Sequence, residues 1–303
     1  MTGKSVRIAV LSATLVLSAC GDAPPETPKA EAQPSAAASV PSASPTPAGE
    51  VVTPTVYPPP VKGVIDEVNV GTFELVDGLA YPAADGSGTV VYATSKSIAS
   101  PVLGKSKCPR LFAESLAQLR DSGFAEVTLD AEGRSPYFGW GHAYGGTGKS
   151  LSPNDWTTTV DEAGDRISGS ARHRDYGDFT FDLPMLAAQP VAAESEDSAA
   201  TIAVYERIRA AARAGDLKGV LAAQGFDDAS IAAIRGLPGI DFDLGEFARR
   251  FLEPGTPKEG SVYPSSFYVD GKKSDGSRWW NYYGFQKCGD ALVLVSVRED
   301  GQD

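Results

Sequence analysis

Residues that commonly carry catalysis and bind metals are scarce in this chain of 303 residues. It has two histidines, His142 and His173, and three cysteines, Cys20, Cys108 and Cys288. Neither GxSxG nor SxxK occurs, and no CxxC or HxxxH supplies two metal ligands at close spacing. We therefore expect no metal and no cofactor, and a catalytic histidine would have to be one of the two present.

Long apolar runs are also missing. The stretch IAVLSATLVLS, residues 8 to 18, has 11 residues, which is too short to span a bilayer as a helix. It follows the basic residues Lys4 and Arg7 and ends in Leu17-Ser18-Ala19-Cys20. A basic start, a short apolar core and a small-residue cleavage site are typical of a signal peptide.

The stretch LSAC, residues 17 to 20, resembles the lipobox of bacterial lipoproteins. The resemblance implies that the thiol of Cys20 receives diacylglycerol and that residues 1–19 are then removed. Several acyl chains on one residue give a stable anchor to the membrane. Gly21 stands where the retention signal of that family has aspartate, which favours the outer over the inner membrane. The alternative is an ordinary secretory signal with a chance cysteine.

The segment after Cys20 is a predicted linker, residues 20–62. Residues 23 to 62 hold 11 of the 22 prolines, with PPETP, SASPTP and YPPP among them. Alanine, serine and proline at this density cannot bury a core, so the segment stays extended. The folded body is then residues 63–303, held away from a periplasm-facing membrane surface.

An excess of acid limits the partners of the chain. It has 27 basic and 39 acidic residues, a net charge of −12. Such a surface repels phosphate backbones, so we expect no nucleic acid as a partner. We expect no nucleotide either, because the one candidate phosphate-binding stretch lacks its structural context. The stretch AYGGTGKS, residues 143–150, fits a loosened P-loop pattern, but Pro153 stands where the required helix would run. A flexible glycine loop is the simpler interpretation.

Cysteine pairing follows from the export signal. If Cys20 is lipidated, Cys108 and Cys288 remain as an even pair in an oxidising compartment, which predicts a disulfide. Two alternatives stay open. Both could be buried thiols, or both could bind zinc together with His142 and His173.

The body has an α+β pattern in two predicted domains. Residues 63–190 are rich in alternating strand signals interrupted by one helix, PRLFAESLAQLRDSG, and favour a sandwich or a curled sheet. Ser198 is the expected cap of the first of several helices in residues 198–303. They precede a three-stranded antiparallel meander, SVYPSSFYVDG, SRWWNYYGFQK and DALVLVSVRE. The helices and the closing hairpin resemble cystatin-like α+β domains, a fold that implies no single function.

Aromatic clusters are the strongest indication of a binding surface. In a strand, Trp280 and Tyr282 would lie on the face opposite Trp279, Tyr283 and Phe285. A second cluster surrounds Trp140 and Tyr144. We take Trp280, Tyr282, Trp140 and Tyr144 as candidate ligand-binding residues, with core packing as the alternative.

These features favour a non-catalytic lipoprotein of the cell envelope. It would act as a binding or adapter module for a protein partner or a glycan. The rival function is an envelope hydrolase acting on a cell-wall or glycan substrate.

Replacing Cys20 by alanine tests the anchor. We expect the Cys20→Ala chain to fold but to move from the membrane to the soluble fraction, because the acylation site is lost. Immunoblotting of separated fractions measures this, with Cys108→Ala as a matched control that keeps the lipobox. Membrane association of Cys20→Ala as strong as that of the wild type would contradict the lipoprotein hypothesis.

Overall fold

The computed structural model describes residues 59–302 except 69–70, 144–146, 153, 189–192, 238, 253–255, 273–275 and 277. The predicted signal peptide, Cys20 and nearly all of the linker lie outside the described residues. Within the described ranges, no helix is both long and apolar enough to cross a membrane.

Two antiparallel sheets of five strands each are built from the first part of the body, and we call them the outer sheet and the middle sheet. The strands in chain order are β1 (Val61–Glu67), β2 (Gly71–Leu75), β3 (Asp77–Pro82), β4 (Thr89–Thr94), β5 (Gly123–Leu129), β6 (Phe138–His142), β7 (Thr147–Ser150), β8 (Trp156–Ala163), β9 (Arg166–His173) and β10 (Gly177–Pro184). The outer sheet has the order β2-β1-β10-β9-β8, and the middle sheet has the order β3-β4-β5-β6-β7.

The two sheets share a hydrophobic core. Ile65 and Phe179 of the outer sheet lie in one buried cluster with Val91 and Val127 of the middle sheet. Strands β9 and β10 form a hairpin, in which Phe179 pairs with Ala171 and both side chains are buried. Alternation along these strands places every second side chain in the core.

The middle sheet is buried on its second face as well, where helices cover it. The helices of this part are α1 (Ser100–Leu103) and α2 (Pro109–Leu119). The structure therefore has one helix more than the sequence predicted here. Helix α2 presents an apolar stripe that includes Leu111 and Leu116 to Tyr92 and its neighbours on the sheet. Burial on both faces explains why TVVYAT of β4 is almost continuously apolar.

Four further helices follow, and aspartates cap each of them. They are α3 (Ser198–Arg213), α4 (Leu217–Ala223), α5 (Asp228–Gly236) and α6 (Leu244–Phe251). The predicted cap Ser198 is wrong, because the carboxylate of Asp197 accepts hydrogen bonds from the backbone N–H groups of Ala199 and Ala200. Asp243 caps α6, since its carboxylate accepts a hydrogen bond from Glu246 N at 2.8 Å.

The C-terminal sheet has four strands in the order β11-β12-β13-β14, not the three that the sequence predicted. They are β11 (Thr256–Tyr263), β12 (Ser266–Lys272), β13 (Arg278–Cys288) and β14 (Ala291–Gln302). The chain reverses at Pro264 and Ser265, so SVYPSSFYVDG forms parts of two strands. Proline has no N–H for the ladder and suits this turn. The α+β class is confirmed.

One buried cluster contains residues from both predicted domains. It contains Leu79 and Phe112 from the first section and Phe226 and Phe285 from the second. Phe112 and Phe226 have ring centroids only 4.1 Å apart. The boundary near residues 190–198 stays a prediction, as does the cystatin-like resemblance.

The predicted disulfide is confirmed. Cys108 and Cys288 are bonded, with Cα atoms 6.0 Å apart and a sequence separation of 180. Because both sulfurs are used in this bond, the alternatives of two free thiols and of a zinc site on these cysteines are wrong. The bond joins the residue before α2 to the last residue of β13.

Removing this disulfide should destabilise the fold. A closed loop of this length stabilises by at most about 5 kcal/mol, because the crosslink restricts the unfolded chain. We expect Cys108→Ser/Cys288→Ser to unfold at lower urea concentration than the wild type. Adding dithiothreitol should shift the wild-type midpoint downward and leave that of the double variant unchanged. A reductant effect of equal size on both proteins would contradict the assignment.

Candidate functional site

The C-terminal sheet has one buried face and one open face. Trp279, Tyr283 and Phe285 of β13 are at most 5% exposed and pack toward the helices. Trp280 and Tyr282 are half-buried on the opposite face, as the alternation predicted. The buried face holds the strand in place, so the side chains of the open face stand on a rigid support.

Tyr282 is the centre of a small cluster on this open face. Its ring lies 5.3 Å from that of Tyr268 on β12, edge to face. On the other side, the guanidinium of Arg298 on β14 lies 4.7 Å from the ring centroid. Tyr268, Tyr282 and Arg298 are direct register partners across the three strands. We call Tyr268, Trp280, Tyr282 and Arg298 the aromatic face.

A glycine makes room for the Tyr282 ring. A Cβ atom at Gly284 would come within 3.1 Å of a carbon of that ring. The ring therefore leans along β13 over a position that has no side chain. This contact and the two neighbours across the strands restrict the ring before any partner binds.

The second predicted aromatic cluster does not join the first. Trp140 is 6% exposed in the core between the outer and middle sheets, with ring contacts to Phe138, His173 and Tyr176. Tyr144 lies outside the described residues. The burial of Trp140 agrees with the core-packing alternative. A role of Trp140 in ligand binding stays a prediction.

His173 is enclosed by aromatic rings. It is 3% exposed, its ring lies 4.4 Å from that of Tyr176, and its Nδ1 accepts a hydrogen bond from Asp175 N at 3.1 Å. Its Nε2 is buried without a hydrogen-bond partner among the described residues. Burial lowers the pKa of His173, against the opposing effect of Asp175 and Asp155. A neutral imidazole is therefore favoured here.

His142 lies at the end of β6 and is more accessible. Its Nδ1 is 3.1 Å from Oδ1 of Asp121, and its side chain is 25% exposed. A histidine beside a carboxylate supplies two of the three groups of a nucleophilic triad. This pair of His142 and Asp121 favours the hydrolase alternative.

Sequence reasoning missed a cleft at the N-terminus of α2. Tyr81 of β3, Arg110 and Leu111 of α2, Tyr137 before β6 and Lys287 of β13 line it. These residues come from distant parts of the chain, so spacing could not connect them. One local signal was present, because CPRLF starts a helix with arginine and no acidic residue in its first turn.

No protein-family model, no curated protein and no solved structure matches the chain.

The pH dependence of stability tests the state of His173. The pKa of His173 in the folded chain lies below the usual value of about 6.5. The imidazole therefore binds a proton more readily in the unfolded chain. The contribution of His173 to the free energy of unfolding is therefore present above that pH and falls as the pH drops toward the folded pKa. We expect His173→Gln to lose this part of the pH dependence in urea titrations between pH 7 and pH 5. Parallel curves for the variant and the wild type would contradict it.

Proposed function

We propose that this chain is a non-catalytic binding or adapter lipoprotein of the cell envelope, which contacts a protein partner through the aromatic face. The single observation that carries the proposal is the ordered group of Tyr268, Trp280, Tyr282 and Arg298 on the open face of the C-terminal sheet. Membrane attachment through Cys20 rests on the lipobox resemblance alone.

The composition of the aromatic face supports a protein interface. Tryptophan, tyrosine and arginine are the residue types most enriched among interface residues with large binding energies. They occupy neighbouring positions here. Tyr268 of β12 pairs with Tyr282 of β13, and two residues along the same strands Asp270 pairs with Trp280. Rings that are already restricted lose less conformational freedom on binding, which favours affinity.

The geometry favours a protein over a glycan. A sugar ring stacks on an open aromatic face, but the guanidinium of Arg298 lies over the ring of Tyr282. A partner approaching this point meets a cation and the edge of a ring. An acidic side chain next to an apolar one, as a protein surface offers, fits both.

The charge of the body also selects the partner. The chain has a net charge of −12, whereas the aromatic face carries Arg298, and Arg278 lies two residues before Trp280 on β13. Arg278 is paired with Asp270 at 2.8 Å, so it adds little net charge to this face. A partner with carboxylates at its contact surface would therefore be attracted to this face and repelled elsewhere.

Site-specific crosslinking tests the protein interface. A photoreactive phenylalanine derivative in place of Tyr282 should give one discrete adduct in intact cells, because the position lies at the centre of the contact. The same derivative at Leu151, which directly follows β7 and is 67% exposed, is the matched control and should give none. Arg298→Glu should abolish the adduct at position 282, since it reverses the charge that faces the partner.

Purified peptidoglycan sacculi separate the competing functions. Co-sedimentation that Tyr282→Ala abolishes, without an adduct in cells, would replace the protein partner by a glycan. Release of soluble fragments that His142→Ala abolishes would establish the hydrolase and contradict the non-catalytic proposal. Adducts of equal yield at positions 282 and 151 would show that the aromatic face is no specific interface.

A further inference from the structure

A second candidate site lies in the cleft at the N-terminus of α2. The cleft has a volume of about 550 Å³, which is within the range of small-molecule sites. The turn between β3 and β4, the first turn of α2 and the end of β13 enclose it. Its walls are largely apolar, with Pro82, Val90, Leu111 and Pro136 among the lining residues.

The start of α2 supplies backbone donors to this cleft. Cys108, the residue before the helix, gives no side-chain cap because its sulfur is in the disulfide. The backbone N–H groups of Arg110 and Leu111 make no hydrogen bond to any described residue. The first turn also has no acidic side chain. Uncapped N–H groups and the positive end of the helix dipole favour a bound anion.

Arg110 adds a fixed positive charge. Its Nε donates to Oε1 of Glu114 at 2.9 Å, one turn along α2. Its two terminal nitrogens make no hydrogen bond to a described residue, and its side chain is 44% exposed. Burial raises the pKa of Glu114, with the charge of Arg110 opposing the shift. Glu114 therefore orients the guanidinium but leaves its fork of terminal donors to the cleft.

Tyr81 is the observation that points to a missing partner. It is 2% exposed, it lines the cleft, and its hydroxyl has no hydrogen-bond partner among the described residues. A buried hydroxyl that is left unpaired destabilises a protein, so such groups are rare. Burial raises the pKa of Tyr81, which keeps the hydroxyl protonated as a donor. A ligand oxygen in the cleft would satisfy it.

Lys287 at the end of β13 brings a second cation to the lining of the cleft. Its backbone N donates to the carbonyl of Ala193 at 2.8 Å, which fixes the strand end. Its ammonium group forms no hydrogen bond or ion pair with a described residue. The disulfide at the next residue, Cys288, holds this wall against the start of α2.

The neighbouring carboxylates limit the charge of the ligand. Glu126 accepts a short hydrogen bond from the hydroxyl of Tyr137, and its charge and that of Glu114 act on Tyr81. Asp85, also in the lining, accepts a hydrogen bond from Ser87 N at 2.9 Å. Each carboxylate would repel a second negative charge, so a monoanion fits better than a dianion.

We propose that this cleft binds a small organic carboxylate. The carboxylate group lies at the start of α2, where it accepts hydrogen bonds from Arg110 and from the hydroxyl of Tyr81. The apolar body of the ligand packs on Leu111, Val90 and the ring of Tyr137. A free organic acid and the C-terminal carboxylate of a peptide share this chemistry.

The test uses the full-length chain and matched probes in isothermal titration calorimetry. We expect phenylacetate to bind and the neutral phenylacetamide to bind at least about tenfold more weakly, because hydrogen bonds to a charged group are lost. Phenyl phosphate should bind more weakly than phenylacetate. A tetrapeptide ending in leucine with a free C-terminus, compared with its amide, shows whether a peptide C-terminus is also accepted.

Three variants separate binding from folding. Arg110→Gln should weaken phenylacetate binding about tenfold or more, whereas Arg134→Gln, an exposed arginine on the turn after β5, should leave it unchanged. Tyr81→Phe should weaken binding without lowering the thermal stability of the ligand-free chain, since the hydroxyl it removes is unpaired there. Tyr282→Ala on the aromatic face should not affect this site.

Several results would overturn the proposal. They are equal binding of phenylacetate and its amide, tighter binding of phenyl phosphate, or no effect of Arg110→Gln. Absence of binding by every carboxylate probe at millimolar concentration would reject it as well. A loss of stability in Tyr81→Phe would show that the hydroxyl has a structural partner in the folded chain.

Discussion

The position of α2 between two sheets is the constraint on which the rest of the body depends. Its apolar stripe packs on the middle sheet, and Gln118 on its other side accepts from Val297 N of β14 at 3.2 Å. The disulfide then fixes its N-terminus to β13. Buried Gln224 adds a polar link, because it accepts from Ser115 of α2 and from Leu294 N. A helix held at these points cannot shift without disturbing both sheets.

The two proposed surfaces use this arrangement in different ways. The aromatic face needs only the C-terminal sheet, whose buried residues Tyr283 and Phe267 anchor it beneath Tyr282. The cleft at α2 needs the helix, the middle sheet and β13 to stay together, since Tyr81, Arg110 and Lys287 come from three elements. Loss of the disulfide should therefore affect the cleft more than the aromatic face.

Sequence reasoning succeeded where one local pattern decides a structure. Alternation in SRWWNYYGFQK separated buried Trp279 from half-buried Trp280. It failed where burial comes from a distant element. Trp140 is covered by the outer sheet, whose strands are remote in sequence, and nothing in FGWGH shows this. The cleft was missed for the same reason. The turn at Pro264 was missed because the residues on both sides of it favour strands, so the sequence predicted one strand where the structure has the pair β11 and β12.

The pairing of β1 with β10 imposes an order on folding. Val61 lies opposite Phe181, so one edge of the first strand of the body stays unpaired until the tenth strand has been synthesised. Contacts between residues so far apart close large loops, and chains dominated by them fold slowly. Until then β1 and β2 can form a hairpin with each other, but its apolar side lacks the opposing sheet. The body therefore completes its fold only after most of its length has been synthesised. Until then, the unpaired edges of its early strands are open to aggregation with other chains.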